Sequence, residues 1–189
     1  MKKDKIFLLG FMGCGKSTFG KKLASKLNWN FIDLDDYIEE KEGERIVDIF
    51  KHRGEAYFRG LETKAVEATA KMKRTIISTG GGTPCFNNNI ESINSLGLSV
   101  YIKLSPTVLK KRLLNETNKR PLLSGLNEDE LLTFIVSKLA EREDDYLKSE
   151  IIFNFNENFN DFTYKFWNRW NISTRSRFEI FFRKSRKLC

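Results

Sequence analysis

Residues 10–17 read Gly-Phe-Met-Gly-Cys-Gly-Lys-Ser and satisfy the pattern G-x-x-x-x-G-K-[ST] in full. Glycines in such a loop let successive backbone N–H groups converge on phosphate oxygens, and the N-terminus of a following helix adds positive potential. Lys16 would reach the β and γ phosphates of a nucleotide, and the Ser17 hydroxyl would ligate Mg²⁺. A chance glycine-rich turn is the competing account. The motif, however, follows an apolar run, Ile6-Phe7-Leu8-Leu9, and opens a helical pattern, which is the context phosphate binding needs. Cys14 sits inside the loop. A helix N-terminus could activate its thiol, although a small tolerated side chain is the simpler reading.

Other candidates are spread along the chain. Asp33 and Asp35 are two apart in a run that reads as a strand, so their side chains should point the same way. One could serve a Mg²⁺ shell and the other accept a proton from a substrate hydroxyl. A solvated acidic strand end is the plainer alternative, since Asp36 extends the run. Arg59 and Glu62 are three apart in a helical pattern and can touch. A glutamate that orients an arginine makes a fixed fork for a carboxylate or phosphate. Taken alone, the pair reads as a surface ion pair. Gly80-Gly81-Gly82 ends a strand and suggests close backbone approach to a ligand, or a flexible turn. Ser78 and Thr79 before it could hydrogen-bond a metal-bound water, and no Asp ends this strand. Arg120-Pro121-Leu122-Leu123 falls in a polar segment, 116–127, that reads as a mobile loop. An arginine on a closing loop could neutralise transferring phosphoryl charge. Arg142, with Tyr146 four residues on, and Arg112 are anion contacts or plain surface charges.

The elements that must hold these groups follow from periodicity. Residues 6–9, 31–35, 75–78, 98–102 and 151–153 read as strands. Helices are expected over 16–27, briefly around 46–50, then from Gly54-Glu55 through Phe58, Leu61, Ala65, Ala68 and Met72. Ser105-Pro106 opens another, with Ser as N-cap and Pro in the first helical position. A single helix is expected from about 128 to 147 and a last one over 158–170. Asn87-Asn88-Asn89 reads as a loop and helix start. Apolar strands alternating with helices give an α/β class with a parallel sheet, whose ligand sites lie at the carboxyl ends of the strands.

Length and composition bound the rest. A chain of 189 residues suits one domain. Cys14, Cys85 and Cys189 show no C-x-x-C spacing, and the single histidine, His52, argues against a zinc site. Free thiols suit a reducing, cytoplasmic setting. No apolar run is long enough to span a membrane. Lys2, Lys3 and Lys5 before the apolar stretch imitate a secretory signal, but the stretch is short and the phosphate motif begins inside it. Net charge is +8, of which residues 171–189 contribute +5 and the rest only +3. A nucleic-acid partner is therefore not expected.

Taken in order, Gly10–Ser17, Asp33-x-Asp35, Ile49-Phe50 followed by Gly54-Glu55, Phe58-Arg59-x-x-Glu62, Gly80-Gly81-Gly82, Arg120-Pro121-Leu122-Leu123 and Arg142-x-x-x-Tyr146 resemble the shikimate kinase family. The likeness runs over roughly residues 4–170. It implies a three-layer P-loop kinase fold, with a five-stranded parallel sheet flanked by helices and a mobile lid near 116–127. It implies ATP-dependent phosphorylation of the 3-hydroxyl of shikimate, with Mg²⁺; a monomer is expected. Gly13, Cys14, Gly15, Lys16, Ser17, Thr18, Arg112 and Arg120 would then bind ATP, with Arg112 against the adenine. Ser17 and Asp33 would hold the metal. Asp35 would bind substrate hydroxyls and act as base, Arg59 and Arg142 would pair with the carboxylate, and Gly80, Gly81 and Gly82 would line the ring. Lys16, Asp35 and Arg120 would be catalytic. Residues 1–170 would form the single domain, and the basic segment 171–189 has no counterpart in the family and reads as a poorly ordered tail. Two other readings compete: another small-metabolite P-loop kinase, acting on gluconate or a nucleoside, and a non-catalytic kinase-like binding module.

Overall fold

A computed structural model describes residues 3–114, 123 and 125–154. Arg120, the expected helix over 158–170 and the basic segment 171–189 lie outside the described residues. So does most of the loop 116–127.

The first strand, β1 (Lys5–Leu9), is buried at every position, as a strand covered on both faces requires. It is followed by α1 (Lys16–Leu27), β2 (Asn30–Asp33) and α2 (Leu34–Glu42). Then come α3 (Ile46–Ala68), β3 (Thr75–Ser78), α4 (Asn89–Leu96) and β4 (Leu98–Lys103). The described chain closes with α5 (Pro106–Leu113), α6 (Glu128–Ala140), α7 (Glu143–Leu147) and β5 (Ile151–Asn154). All strand pairings are parallel, in the order β2-β3-β1-β4-β5. This is the expected five-stranded parallel sheet with helices against it. Chain progression reverses at β1, which pairs with β3 on one side and β4 on the other. Open α/β sheets bind ligands at such a switch point, outside the carboxyl ends of the strands.

Alternation along β1 divides the core. Phe7 and Leu9 join Ile77 of β3 against Leu34, Ile38 and Ile49 of the next two helices. The opposite face packs on α1, where Gly20 sits so close that an added Cβ would lie 2.5 Å from the Phe31 ring and 3.0 Å from Leu8. The helix can approach the sheet only because that position has no side chain.

Three expected boundaries differ. The second strand ends at Asp33 rather than 35, because Asp33 turns the chain into α2: its Oδ1 accepts from the Asp35 N–H at 3.2 Å as an N-cap. Asp33 and Asp35 are therefore not two strand residues facing one way. The helix expected over 128–147 is two helices, broken at Glu141–Arg142, with Arg142 in the N-cap position of α7 at φ −118°. The long helix ends at Ala68, leaving Met72 beyond a short 3₁₀ turn, Thr69–Lys71. The division of α3 at Gly54 (φ 79°, ψ 171°) agrees with the two-helix reading. Ser105 caps α5 through its Oγ, which accepts from the Val108 N–H. Within the described residues no helix is long and apolar enough to cross a membrane.

Candidate active site

The loop after β1 turns on glycines in the left-handed region, Gly13 at φ 77° and Gly15 at φ 98°. Side chains rarely adopt that backbone, so glycine is required there. At Gly13 the space is closed as well, since an added Cβ would meet Leu113 at 2.8 Å. Lys16, buried in the first turn of α1, folds back over the loop. Its Nζ donates to the carbonyls of Gly10 (2.8 Å) and Phe11 (3.2 Å) and lies 3.8 Å from Cys14 Sγ. Cys14 is itself buried, packed in the loop with the small side chain the position tolerates. Thr18 is exposed on α1. Arg112 of α5 lies along the loop, its Nη1 donating to the carbonyls of Cys14 (3.0 Å) and Gly13 (3.4 Å).

Register carries the next group to the loop. Asp33 of β2 pairs with Ser78 of β3, and Ser78 with Leu8 of β1, so the three strand ends form one row. The Ser17 hydroxyl reaches that row, donating to Asp33 Oδ2 at 2.7 Å and lying 3.4 Å from Ser78 Oγ. These hard oxygens fit Mg²⁺, which takes one or two protein ligands and fills its octahedron with phosphate and water. Among the described residues no cluster of three or more His, Cys, Asp or Glu side chains could form a metal cage without them. Thr79 does not join the row. Its hydroxyl donates to the Leu8 carbonyl at 3.1 Å and is turned into the sheet.

The remaining groups converge on the triple glycine. A Cβ on Gly80 would lie 2.8 Å from Asp35 Oδ1 and 2.9 Å from Glu62 Oε1. One on Gly82 would lie 2.6 Å from Arg59 Nη1, and one on Gly81 3.5 Å from Arg142 Nη1. At Gly80 and Gly82 these side chains fill the room a side chain would need, whereas at Gly81 an added Cβ would make only ordinary contact. Asp35 sits in the first turn of α2. Burial, then the charges of Asp33 and Glu62, push its carboxyl up to about 7, with Lys16 opposing. A carboxyl poised there can take a proton from a hydroxyl near neutral pH.

Arg59 and Glu62 are not a surface pair. The Glu62 side chain is 1% exposed and that of Arg59 12%. Glu62 Oε2 accepts from Arg59 Nη1 at 2.7 Å, and Oε1 accepts from the Thr83 hydroxyl. Glu55, more exposed, takes the Nε and Nη2 edge at 3.1 and 2.7 Å. Burial works to lower the guanidinium's pKa, but the contacts with Glu62 and Glu55 outweigh it and raise the net value. Phe86, Phe58 and Phe50 surround the guanidinium, with ring centroids 4.0, 5.5 and 6.0 Å from its Cζ. Sequence reading left Phe86 out, because a single aromatic after a glycine turn carries no periodicity.

Arg142 lies over the Phe11 ring at 5.8 Å. Tyr146, fully buried on α7 and packed against Tyr101, donates its hydroxyl to the Gly81 carbonyl. That bond ties α7, and so Arg142, to the triple glycine. Burial raises the Tyr146 hydroxyl's pKa, so it remains a donor. Burial also pushes the Cys85 thiol beside it up to about 12. Every expected site residue among the described residues lies at the carboxyl ends of β1, β2 and β3 or borders them.

Residues 12–164 match the family model described as shikimate kinase. A shikimate kinase of Bacteroides thetaiotaomicron is 45% identical over 153 residues, which is 81% of this chain and 87% of that protein. A crystal structure of shikimate kinase from the same species is similar with a TM-score of 0.81 and 40% identity, covering 89% of this chain and 98% of the other. A shikimate kinase from Acinetobacter baumannii in complex with shikimate is similar with a TM-score of 0.75 and 29% identity, over 92% and 96% of the two chains.

Proposed function

The chain belongs to the shikimate kinase family, and from that membership and the site geometry we propose how its residues divide the work. It is a P-loop kinase that transfers the γ-phosphate of ATP to the 3-hydroxyl of shikimate, a step of aromatic amino-acid biosynthesis.

Backbone N–H groups of Gly13, Gly15 and the start of α1 cradle the phosphates, with Cys14 and Thr18 in the same turn. Lys16 exchanges its carbonyl partners for β- and γ-phosphate oxygens. Arg112, already along the loop, borders the adenine. Arg59 and Arg142 hold the shikimate carboxylate, Gly80, Gly81 and Gly82 border the ring, and Asp35 binds its hydroxyls. As the hydroxyl oxygen bonds to the γ-phosphorus and the bond to the β-phosphate oxygen breaks, Asp35 takes the hydroxyl proton. Ser17 and Asp33 would hold Mg²⁺, which when bound neutralises charge on the phosphates. Arg120, outside the described residues, is assigned from its place in the sequence to neutralise charge on the transferring group from the lid.

The observation that supports this reading best is the meeting of two arginines and an acid around one triple glycine. That set answers a small ring bearing a carboxylate and hydroxyls, and it uses residues of one chain, which supports a monomer as the working unit. The described cysteines, Cys14 and Cys85, are free thiols, which supports a cytoplasmic setting. We assign the kinase to residues 1–170 and no part of the chemistry to 171–189.

A coupled assay of ADP release with ATP, Mg²⁺ and shikimate, against a control without shikimate, tests the reading. Shikimate-dependent release is expected, with Arg59→Ala raising the shikimate KM and leaving that for ATP near normal. Turnover of gluconate or a nucleoside in its place, or equal loss of both affinities in the variant, would overturn it.

A further inference from the structure

The turn that follows the triple glycine does more than connect β3 to α4. Gly82 and Phe86 flank a 3₁₀ turn, Thr83–Cys85, and both touch the same guanidinium. A Cβ on Gly82 would lie 2.6 Å from Arg59 Nη1, and Arg59 Cζ lies over the Phe86 ring at 4.0 Å, nearer than Phe58 or Phe50. The next residue fastens the turn. Asn87 Nδ2 donates to the Arg59 carbonyl at 3.3 Å and to the Thr63 hydroxyl at 3.0 Å, both on α3. Asn87 and Asn88 hold φ values of 53° and 54°, a left-handed pair that asparagine tolerates better than most residues. The chain thereby turns so that Phe86 faces α3 while Asn89 starts α4.

An arginine fork needs its plane fixed as well as its edges. Glu62 and Glu55 act in the plane, on Nη1 and on Nε and Nη2. Those contacts hold its edges, whereas a ring centred 4.0 Å from Cζ adds a cation–π contact from a third side. Phe86 is about one-third exposed, so burying it cannot be its main service to the fold.

We propose that Phe86 is a positioning residue for substrate binding: lying against Arg59 Cζ and held by Asn87, it sets the orientation in which the arginine meets the substrate carboxylate. The proposal rests on the reading of Arg59 as the carboxylate fork.

Three variants test it, with Phe86→Leu keeping the apolar bulk, Phe86→Tyr keeping the π face and Phe86→Ala removing both. In the full chain, Phe86→Ala and Phe86→Leu should raise the shikimate KM about three- to tenfold, the strength of one such contact. Their kcat and ATP KM should stay within about twofold, and Phe86→Tyr should return the shikimate KM to the wild-type value. A second readout needs no substrate. The Arg59 Nε–H resonance, shifted in the wild type by the Phe86 ring together with those of Phe58 and Phe50, should move in the Ala and Leu variants and hold its wild-type position in Tyr. A Leu variant that matches Tyr in KM would reduce Phe86 to packing and overturn the proposal, as would an unmoved Arg59 resonance in Phe86→Ala. If the resonance moves as expected but the wild type does not turn over shikimate, the reading of the site fails while the stacking stands.

Discussion

Glu62 divides its carboxylate between two elements, one oxygen on Arg59 Nη1 at 2.7 Å within α3 and the other on the Thr83 hydroxyl just past the triple glycine. A single buried acid thus fixes both the arginine and the turn against which substrate must lie. Glu55 holds the same arginine from the exposed side, with 59% of its side chain in water. An ion pair in water is worth little, whereas removing one partner of a buried pair leaves the other charge uncompensated. Glu62→Gln is therefore expected to raise the shikimate KM tenfold or more and to lower the melting temperature by several degrees. Glu55→Gln should stay within about threefold of the wild type. Steady-state kinetics and thermal melts of the two variants check the contrast, and equal effects would show that burial does not set their roles.

Asp33 has two jobs that one substitution can separate. Its Oδ1 caps α2 and its Oδ2 accepts from Ser17. Asparagine keeps a capping oxygen and removes the charge; alanine removes both, and loss of a cap costs about 1 kcal/mol. Asp33→Asn should melt within about 2 °C of the wild type yet need several-fold more Mg²⁺ for half-maximal turnover. Asp33→Ala should show the same Mg²⁺ requirement and a lower melting temperature. An unchanged Mg²⁺ titration in both variants would remove Asp33 from the metal shell.

The sequence reading and the structure agree where a function is local. The phosphate loop, its strand and its helix lie within 23 consecutive residues, Lys5–Leu27, and each was legible from motif and periodicity. The sheet followed because strands buried on both faces leave continuous apolar runs. Asp33 and Asp35 misled because the acids continue the strand's alternation while the cap, a backbone hydrogen bond, turns the chain. The break at Arg142 was hidden because apolar spacing runs on from Ile135 and Leu139 to Tyr146 across it. Burial of Glu62 was illegible for a different reason. It depends on Thr83 and Gly80, some 20 residues away, and no local pattern reports such a partner.

The raised pKa of Asp35 makes a prediction in which stability and activity move in opposite directions. An aspartate ordinarily titrates at 3.8, and burial with neighbouring acids carries this one to about 7. Between those values the folded protein keeps a proton that the unfolded chain has lost, so stability falls as pH rises through the window, and the full cost is present above pH 7. Asparagine has no charge to bury. Without nucleotide or Mg²⁺, Asp35→Asn should melt near the wild type at pH 4 and above it at pH 8, by about 1–2 kcal/mol after allowing for the partial exposure of the site. Turnover should fall by about 10²–10⁴, the contribution of a positioned base. Parallel melting curves at both pH values would mean that the folded protein does not hold that proton.

Two glycines whose absent side chains would collide with different kinds of neighbour should fail in different ways. On Gly82 an added Cβ would lie 2.6 Å from Arg59 Nη1, the far end of a flexible side chain. The arginine can swing away without moving the backbone, but it then leaves the position in which Glu62 and Phe86 hold it, and the buried Glu62 loses its partner. On Gly20 the Cβ would lie 2.5 Å from the Phe31 ring and 3.0 Å from Leu8, inside a packed helix–sheet contact that cannot yield without moving α1. Overpacking of that kind costs about 1–3 kcal/mol. Gly82→Ala is therefore expected to lose no more than the several degrees of Glu62→Gln while its shikimate KM rises at least tenfold and its ATP KM holds. Gly20→Ala should lose about 5–10 °C and, at temperatures where it remains folded, keep its shikimate KM within about threefold. Measured side by side, a stability loss in Gly82→Ala with normal shikimate binding would show that Arg59 is not held against that turn.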